Sequence, residues 1–147
     1  MVVLREPHLG LRMMLETTST LTILGAGLNE QKPAHRLFHD LEGKGWNLVP
    51  VHPRDEGTIL AAPIEQSINP ETAKILVFFL SPHQTLNQLI ELKENKEFKE
   101  FPFIWLQPGA ADDDVLTWLN AEGIPHVVDE CVVEFIRRHH ISCRAEY

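Results

Sequence analysis

Residues 21–33 read Leu21-Thr22-Ile23-Leu24-Gly25-Ala26-Gly27-Leu28-Asn29-Glu30-Gln31-Lys32-Pro33, and this stretch decides the fold. Leu21 to Leu24 is a short apolar, partly β-branched run that stops at a glycine. That is the pattern of a buried strand ending in a tight turn. Pro33 suits the first turn of a helix, where its missing N–H would have had no partner anyway. The helix should continue through Leu37, Phe38 and Leu41 to a stop at Gly43 or Gly45.

The same alternation continues outward from this unit. Asn47 to Val51 predicts a second strand, ended by His52-Pro53-Arg54. Asp55 to Glu71 is irregular and carries no clear element. Lys74 to Leu80 predicts a third strand, and its lack of polar alternation implies burial on both faces. Ser81-Pro82 caps a helix bearing Leu86, Leu89, Ile90 and Leu92. Phe101 to Leu106 is a fourth strand, broken by Gln107-Pro108-Gly109, and a helix over Asp112 to Asn120 follows. Ile124 to Val128 is the fifth strand and Cys131 to His139 the closing helix. Leu9 to Glu16 forms a short leading helix. Strand–helix alternation with apolar strands predicts an α/β fold of Rossmann-like type. Its sheet is doubly wound, mainly parallel and five-stranded, with helices on both faces. No repeat or linker interrupts the pattern, so residues 1–147 read as one domain with a core over 20–139 and a short C-terminal tail.

The composition fits this reading. The chain has 147 residues, 44% of them hydrophobic, enough for one core. Thirteen Lys and Arg stand against 21 Asp and Glu, a formal net charge of −8. A broadly nucleic-acid-binding surface is excluded on that balance. A polyanionic small ligand is not, because backbone amides can make one local electropositive pocket. Cys131 and Cys143 cannot form a disulfide framework and read as reduced thiols of a cytoplasmic protein. The longest apolar run, Ile75 to Leu80, is strand-sized, and a membrane span needs about 20 residues. Charged residues at Arg5, Glu6, Arg12 and Glu16 leave no signal-peptide core.

Parallel sheets bind ligands beyond the C-terminal ends of their strands. In Gly25-Ala26-Gly27 the glycines let a ligand approach the backbone, and the following helix offers free N–H groups to a phosphate. A bulky residue at Gly25 should therefore abolish binding without unfolding the chain. The full dinucleotide fingerprint would want a glycine at position 30, where Glu30 stands. Dinucleotide folds also place an acid at the end of strand two for the ribose 2′-hydroxyl. Here that place holds His52-Pro53-Arg54, with no carboxylate until Asp55. A cation there suits a phosphorylated ribose, as in coenzyme A or NADP, better than NAD. Lys32 adds a second cation at the far end of the glycine loop.

Four segments in register resemble the small stand-alone CoA-binding domain proteins. Thr22-Ile23-Leu24-Gly25-Ala26-Gly27 with Lys32-Pro33 is similar to their first loop, and Gly45-Trp46-Asn47-Leu48-Val49-Pro50-Val51-His52-Pro53 to their second strand. Ile104-Trp105-Leu106-Gln107-Pro108-Gly109-Ala110 is similar to their Val-Trp-Leu-Gln-x-Gly segment, and Val127-Val128-Asp129-Glu130-Cys131 to the opening of their last helix. The resemblance implies a domain akin to the CoA-binding domain of the succinyl-CoA synthetase α subunit, holding coenzyme A or an acyl-CoA. It assigns the ligand contacts to Gly25, Ala26, Gly27, Leu28 and Lys32, then His52, Pro53 and Arg54, then Gln107, Pro108 and Gly109. The diphosphate would lie on Gly25 to Leu28, and Gln107 to Gly109 would line the pantetheine path. The chain departs from the family pattern at Gly27, Lys32, Ala34, His52 and Glu130, and after strand three at Leu80-Ser81-Pro82.

No catalytic set emerges from the remaining residues. His35 and His39 are spaced to chelate a metal but lack further ligands, and read as surface or pocket-edge histidines. Asp112-Asp113-Asp114 opens a helix and reads as cap and dipole complement. Cys131 begins the last helix, where a thiol is activated, although free cysteine is commonly a small buried residue. The expectation is therefore a non-catalytic sensory, carrier or regulatory module with a small-molecule ligand, no nucleic acid, no membrane and no metal. An enzyme component using NADP or coenzyme A, and an interaction domain with a degenerate site, are the alternatives.

Overall fold

In a computed structural model, which describes residues 9–144, the predicted alternation becomes five helices and seven strands. They follow in the order α1 (Leu9–Thr17), β1 (Thr20–Leu24), α2 (Pro33–Asp40), β2 (Asn47–Val51), β3 (Thr58–Ile59), β4 (Ala62–Pro63), β5 (Ile75–Phe78), α3 (Pro82–Asn95), β6 (Phe103–Leu106), α4 (Asp113–Ala121), β7 (His126–Val128) and α5 (Val132–Arg138).

Five strands pair in parallel in the order β2-β1-β5-β6-β7. The chain steps from β1 out to β2, then crosses back over β1 to β5. The direction of winding reverses there, which makes the gap between β1 and β5 the switch point. The register lines up Val51, Leu24, Phe78, Leu106 and Val128 across the sheet, so the strand C-termini share one edge.

Alternate strand residues feed two cores. Leu21, Ile23, Ile75, Val77 and Trp105 pack with Leu15 of α1, Leu37 and Phe38 of α2, and Val132, Phe135 and Ile136 of α5. Leu24, Leu76, Phe78, Ile104 and Leu106 pack with Leu89 and Leu92 of α3 and Val115 and Leu119 of α4. Every residue of β1 and β5 is buried, as apolar runs covered on both faces require.

The last two strands of the sheet, β6 and β7, are shorter than expected, for a local reason. β6 begins at Phe103 and β7 at His126, because Pro102 and Pro125 have no N–H for the ladder. The irregular stretch holds an antiparallel hairpin, β3–β4, whose two-residue turn Leu60-Ala61 has φ of 47° and 70°. Beyond it, Glu65 lies against the outer side of β2: its N–H donates to the Pro50 carbonyl at 2.8 Å, and the His52 N–H donates to the Glu65 carbonyl at 2.9 Å. That pairing covers the upper half of an otherwise open sheet edge. α2 ends at Asp40, ahead of Gly43. Among the described residues, no helix is long and apolar enough to cross a membrane.

Candidate functional site

The glycine loop leaves β1 at the switch point. Gly25 has φ of +92°, and the N–H groups of Gly25 and Ala26 both donate to the Val51 carbonyl, at 3.0 and 3.2 Å. A Cβ on Gly25 would stand 2.6 Å from the Phe79 carbonyl oxygen. The glycine is thus required first by the backbone of the neighbouring strand. This corrects the expectation that a bulky residue at 25 would remove binding alone, since it would also push β1 and β5 apart.

Gly27 lies beneath the His52 ring and the Asp55 carboxylate, which fill the space a Cβ would need. The Leu28 N–H donates to Asp55 Oδ2 at 2.8 Å. Three of the four amides assigned to a diphosphate, those of Gly25, Ala26 and Leu28, are therefore already engaged. The Gly27 N–H has no partner among the described residues. From below, His35 Nδ1 donates to the Gly27 carbonyl at 2.9 Å. His35 is buried, not at the surface as its polarity suggested, and its ring stacks on the exposed His39.

α2 begins with an open N-terminus. Lys32 is its N-cap and supplies no side-chain cap, Pro33 has no N–H, and the Ala34 N–H has no partner among the described residues. The positive end of the helix dipole and the Lys32 ammonium thus act in the same place.

After β2, His52 Nδ1 accepts the backbone N–H groups of Arg54 (3.2 Å) and Asp55 (3.0 Å). A nitrogen that accepts carries no proton, so the 3.7 Å approach of Asp55 Oδ1 to that atom is a contact, not an ion pair. Asp55 supplies the carboxylate that the residues directly after β2 lack. Its contact with Leu28 spans 27 positions, and nothing local in the sequence points to it. Arg54 is exposed and, among the described residues, forms no ion pair.

After β6, the buried Gln107 side chain turns away from a purely ligand-facing role. Its Oε1 accepts the Val132 N–H at 2.8 Å, capping α5, while its carbonyl accepts the Ala110 N–H at 2.9 Å. Trp105 Nε1 donates to the Glu130 carbonyl at 2.7 Å and holds the opposite side of the same junction.

Two clefts open at this edge. The first, about 330 Å³, lies over the switch point and brings together Gly25, Lys32, Ala34, Ser81, Gln107 and Pro108-Gly109. The second, about 350 Å³, runs between α3 and residues 66–68. Leu24, Val51, Pro53 and Leu80 make its floor, and Gln66, Ser67, Gln84, Asn87, Gln88 and Glu91 its rim. The clefts meet at Gly25 and Leu80. Of the expected contacts, Ala26, Gly27, Leu28, His52 and Arg54 line neither cleft. Ala26 and Gly27 are buried beneath the junction of the glycine loop and the loop after β2, while Leu28 and Arg54 are exposed on it. The row of amides on α3 carries no local signature of a site, because a polar helix face reads as solvated until the 66–68 segment is known to lie opposite. The first cleft can hold an anion by dipole and cation, and the second a neutral hydrogen-bonding group. Ser81 and Asp112 cap α3 and α4 as expected. Cys131 is half-buried at the start of α5. Among the described residues, no three His, Cys, Asp or Glu side chains are grouped to hold a metal.

Residues 19–135 match the profile of a family described as CoA binding domain. No curated protein matches the sequence. Among solved structures, a protein from Thermus thermophilus, cell-free ID.343, is 28% identical with a TM-score of 0.73, covering 88% of this chain and 96% of its own. A conserved hypothetical protein from Pyrococcus furiosus is 24% identical with a TM-score of 0.69, covering 79% and 97%. A hypothetical protein from Pyrococcus horikoshii OT3 shares the fold at 19% identity and a TM-score of 0.73, covering 94% and 98%.

Proposed function

The chain belongs to the CoA binding domain family, and from that premise we propose that it is a cytoplasmic binding module for coenzyme A or an acyl-CoA, with a sensory, carrier or regulatory role and no chemistry of its own. The observation that carries this reading is the cleft at the switch point. Within it, the uncapped N-terminus of α2 and Lys32 face the same space in a chain of net charge −8. Because the Gly25, Ala26 and Leu28 amides are engaged and Gly27 is buried outside the cleft, the diphosphate draws on the Ala34 N–H, the helix dipole and Lys32. The pantetheine arm follows the backbone at Pro108-Gly109, and the amide-rimmed cleft accepts the neutral remainder of the ligand.

Isothermal titration with coenzyme A, NADP and NAD at one salt concentration tests it. Micromolar binding of coenzyme A with NAD silent is the expected result. Silence toward all three overturns the proposal and leaves a fold that has lost its site.

A further inference from the structure

Beyond the two clefts, the C-terminal end of α3 forms a further cavity. Its C-cap, Lys96, is left-handed (φ 57°), and the chain turns back so that Phe98, Lys99 and Phe101 lie beside Leu92 and Lys93. These six residues wall a space of about 330 Å³. Leu92 is buried, and Phe98 and Phe101 are half-buried against the same core, their rings meeting edge to face at 5.6 Å. Lys93 Nζ stands 5.5 Å from the centre of the Phe101 ring.

We propose that this cavity is a second ligand site, and that it takes an organic anion with a flat apolar body, of the arylcarboxylate class. Three of the 13 Lys and Arg residues of an acidic chain line one space, and no carboxylate lines it. Glu94 and Glu97 alternate with the lysines in sequence yet lie outside the wall, and Glu100 lines a separate cavity on the other side of Phe101. Among the described residues, Lys93, Lys96 and Lys99 form no ion pair. The negative end of the α3 dipole accounts for Lys93 and Lys96. It does not account for Lys99, three residues beyond the cap, or for the aromatic walls. Ammonium groups gathered without a counter-charge repel one another, and a bound carboxylate relieves that repulsion. Leu92 and the two phenylalanines favour an apolar body, and the edge-to-face pair favours a ring that extends the same packing. The volume is at the low end for ligand sites and suits one or two rings. The cavity shares Leu92 alone with the amide-rimmed cleft and no residue with the cleft over the switch point, so the site is independent of the proposed function.

The test is titration of the full chain with cinnamate, followed by backbone amide NMR shifts, with cinnamyl alcohol as the neutral counterpart. Saturable shifts centred on residues 92–101, with a Kd of about 1 mM or tighter, are expected. Cinnamyl alcohol should bind at least about fivefold more weakly, and so should cinnamate to the double variant Lys96→Gln with Lys99→Gln. Lys44→Gln, which removes a charge between α2 and β2, should leave the Kd within about twofold. The melting temperatures of the variants verify their folds, and the neutral probe tests the need for charge on the unaltered chain. Absence of saturation, equal affinity for the alcohol, or an unchanged Kd in the double variant overturns the site. Saturable shifts centred on the switch-point cleft assign the anion to Lys32 and overturn it as well.

Discussion

Thr85 sits in the first turn of α3 with no solvent exposure, and its hydroxyl has no hydrogen-bond partner among the described residues. A buried unsatisfied hydroxyl costs stability, and an isosteric methyl does not carry that cost. Thr85→Val should raise stability by about 1 kcal/mol, measured by urea unfolding. An unchanged or lower midpoint would show that the hydroxyl is satisfied in solution. Such single-residue accounting also separates what the sequence displays from what it hides. Gly25 and Lys32 are legible because a glycine turn followed by Lys-Pro is a local pattern. Asp55 and His35 are not, since their roles depend on Leu28 and on the Gly27 carbonyl, which a folded loop brings to them. Gln107 was identified as part of the site, yet its side-chain oxygen serves a helix 25 positions away.

Among the elements, β1, β2 and β5 were readable from apolar runs, and α3 from its serine cap and leucine spacing. The apolar run points to a strand from Phe101, but β6 begins at Phe103, because Pro102 removes a ladder donor. The β3–β4 hairpin was invisible for a different reason. A two-residue turn with both φ values positive favours Asn-Gly, and here the residues are Leu60-Ala61, which carry no turn signal. Leu60 is also exposed, so it gains little from burial to offset the backbone cost. Replacing the pair by Leu60→Asn with Ala61→Gly should stabilise the protein by about 1 kcal/mol or more, read from thermal melting. A fall in melting temperature would mean that Leu60 contributes packing beyond its turn.

For the whole molecule, protection should follow the order of the sheet. β1 and β5 are paired on both sides and buried throughout, while β7 is a half-exposed edge and β3–β4 a two-stranded appendage. Hydrogen exchange should therefore be slowest in Leu21 to Leu24 and Ile75 to Phe78, and fastest in residues 58–63. Equal rates across the sheet would contradict this ranking. The parallel architecture was legible as a whole because strands buried on both faces leave a continuous apolar signature. The two clefts along the strand C-termini are not legible in the same way, because the second is walled by residues 66–68, a segment with no regular pattern of its own.

The capping of α5 by Gln107 has a consequence for how the loop after β6 can move. Gln107 lines the switch-point cleft, and its side-chain oxygen accepts the Val132 N–H at the head of α5, which packs on the same face of the sheet as α2. Anything that shifts the loop after β6 pulls directly on that bond. The outer surface of α5 carries Arg137 and Arg138 paired to Glu134 and Glu130. The loop after β6 and the head of α5 are thus tied at two points, Gln107 Oε1 to the Val132 N–H and Trp105 Nε1 to the Glu130 carbonyl, so neither can shift without the other.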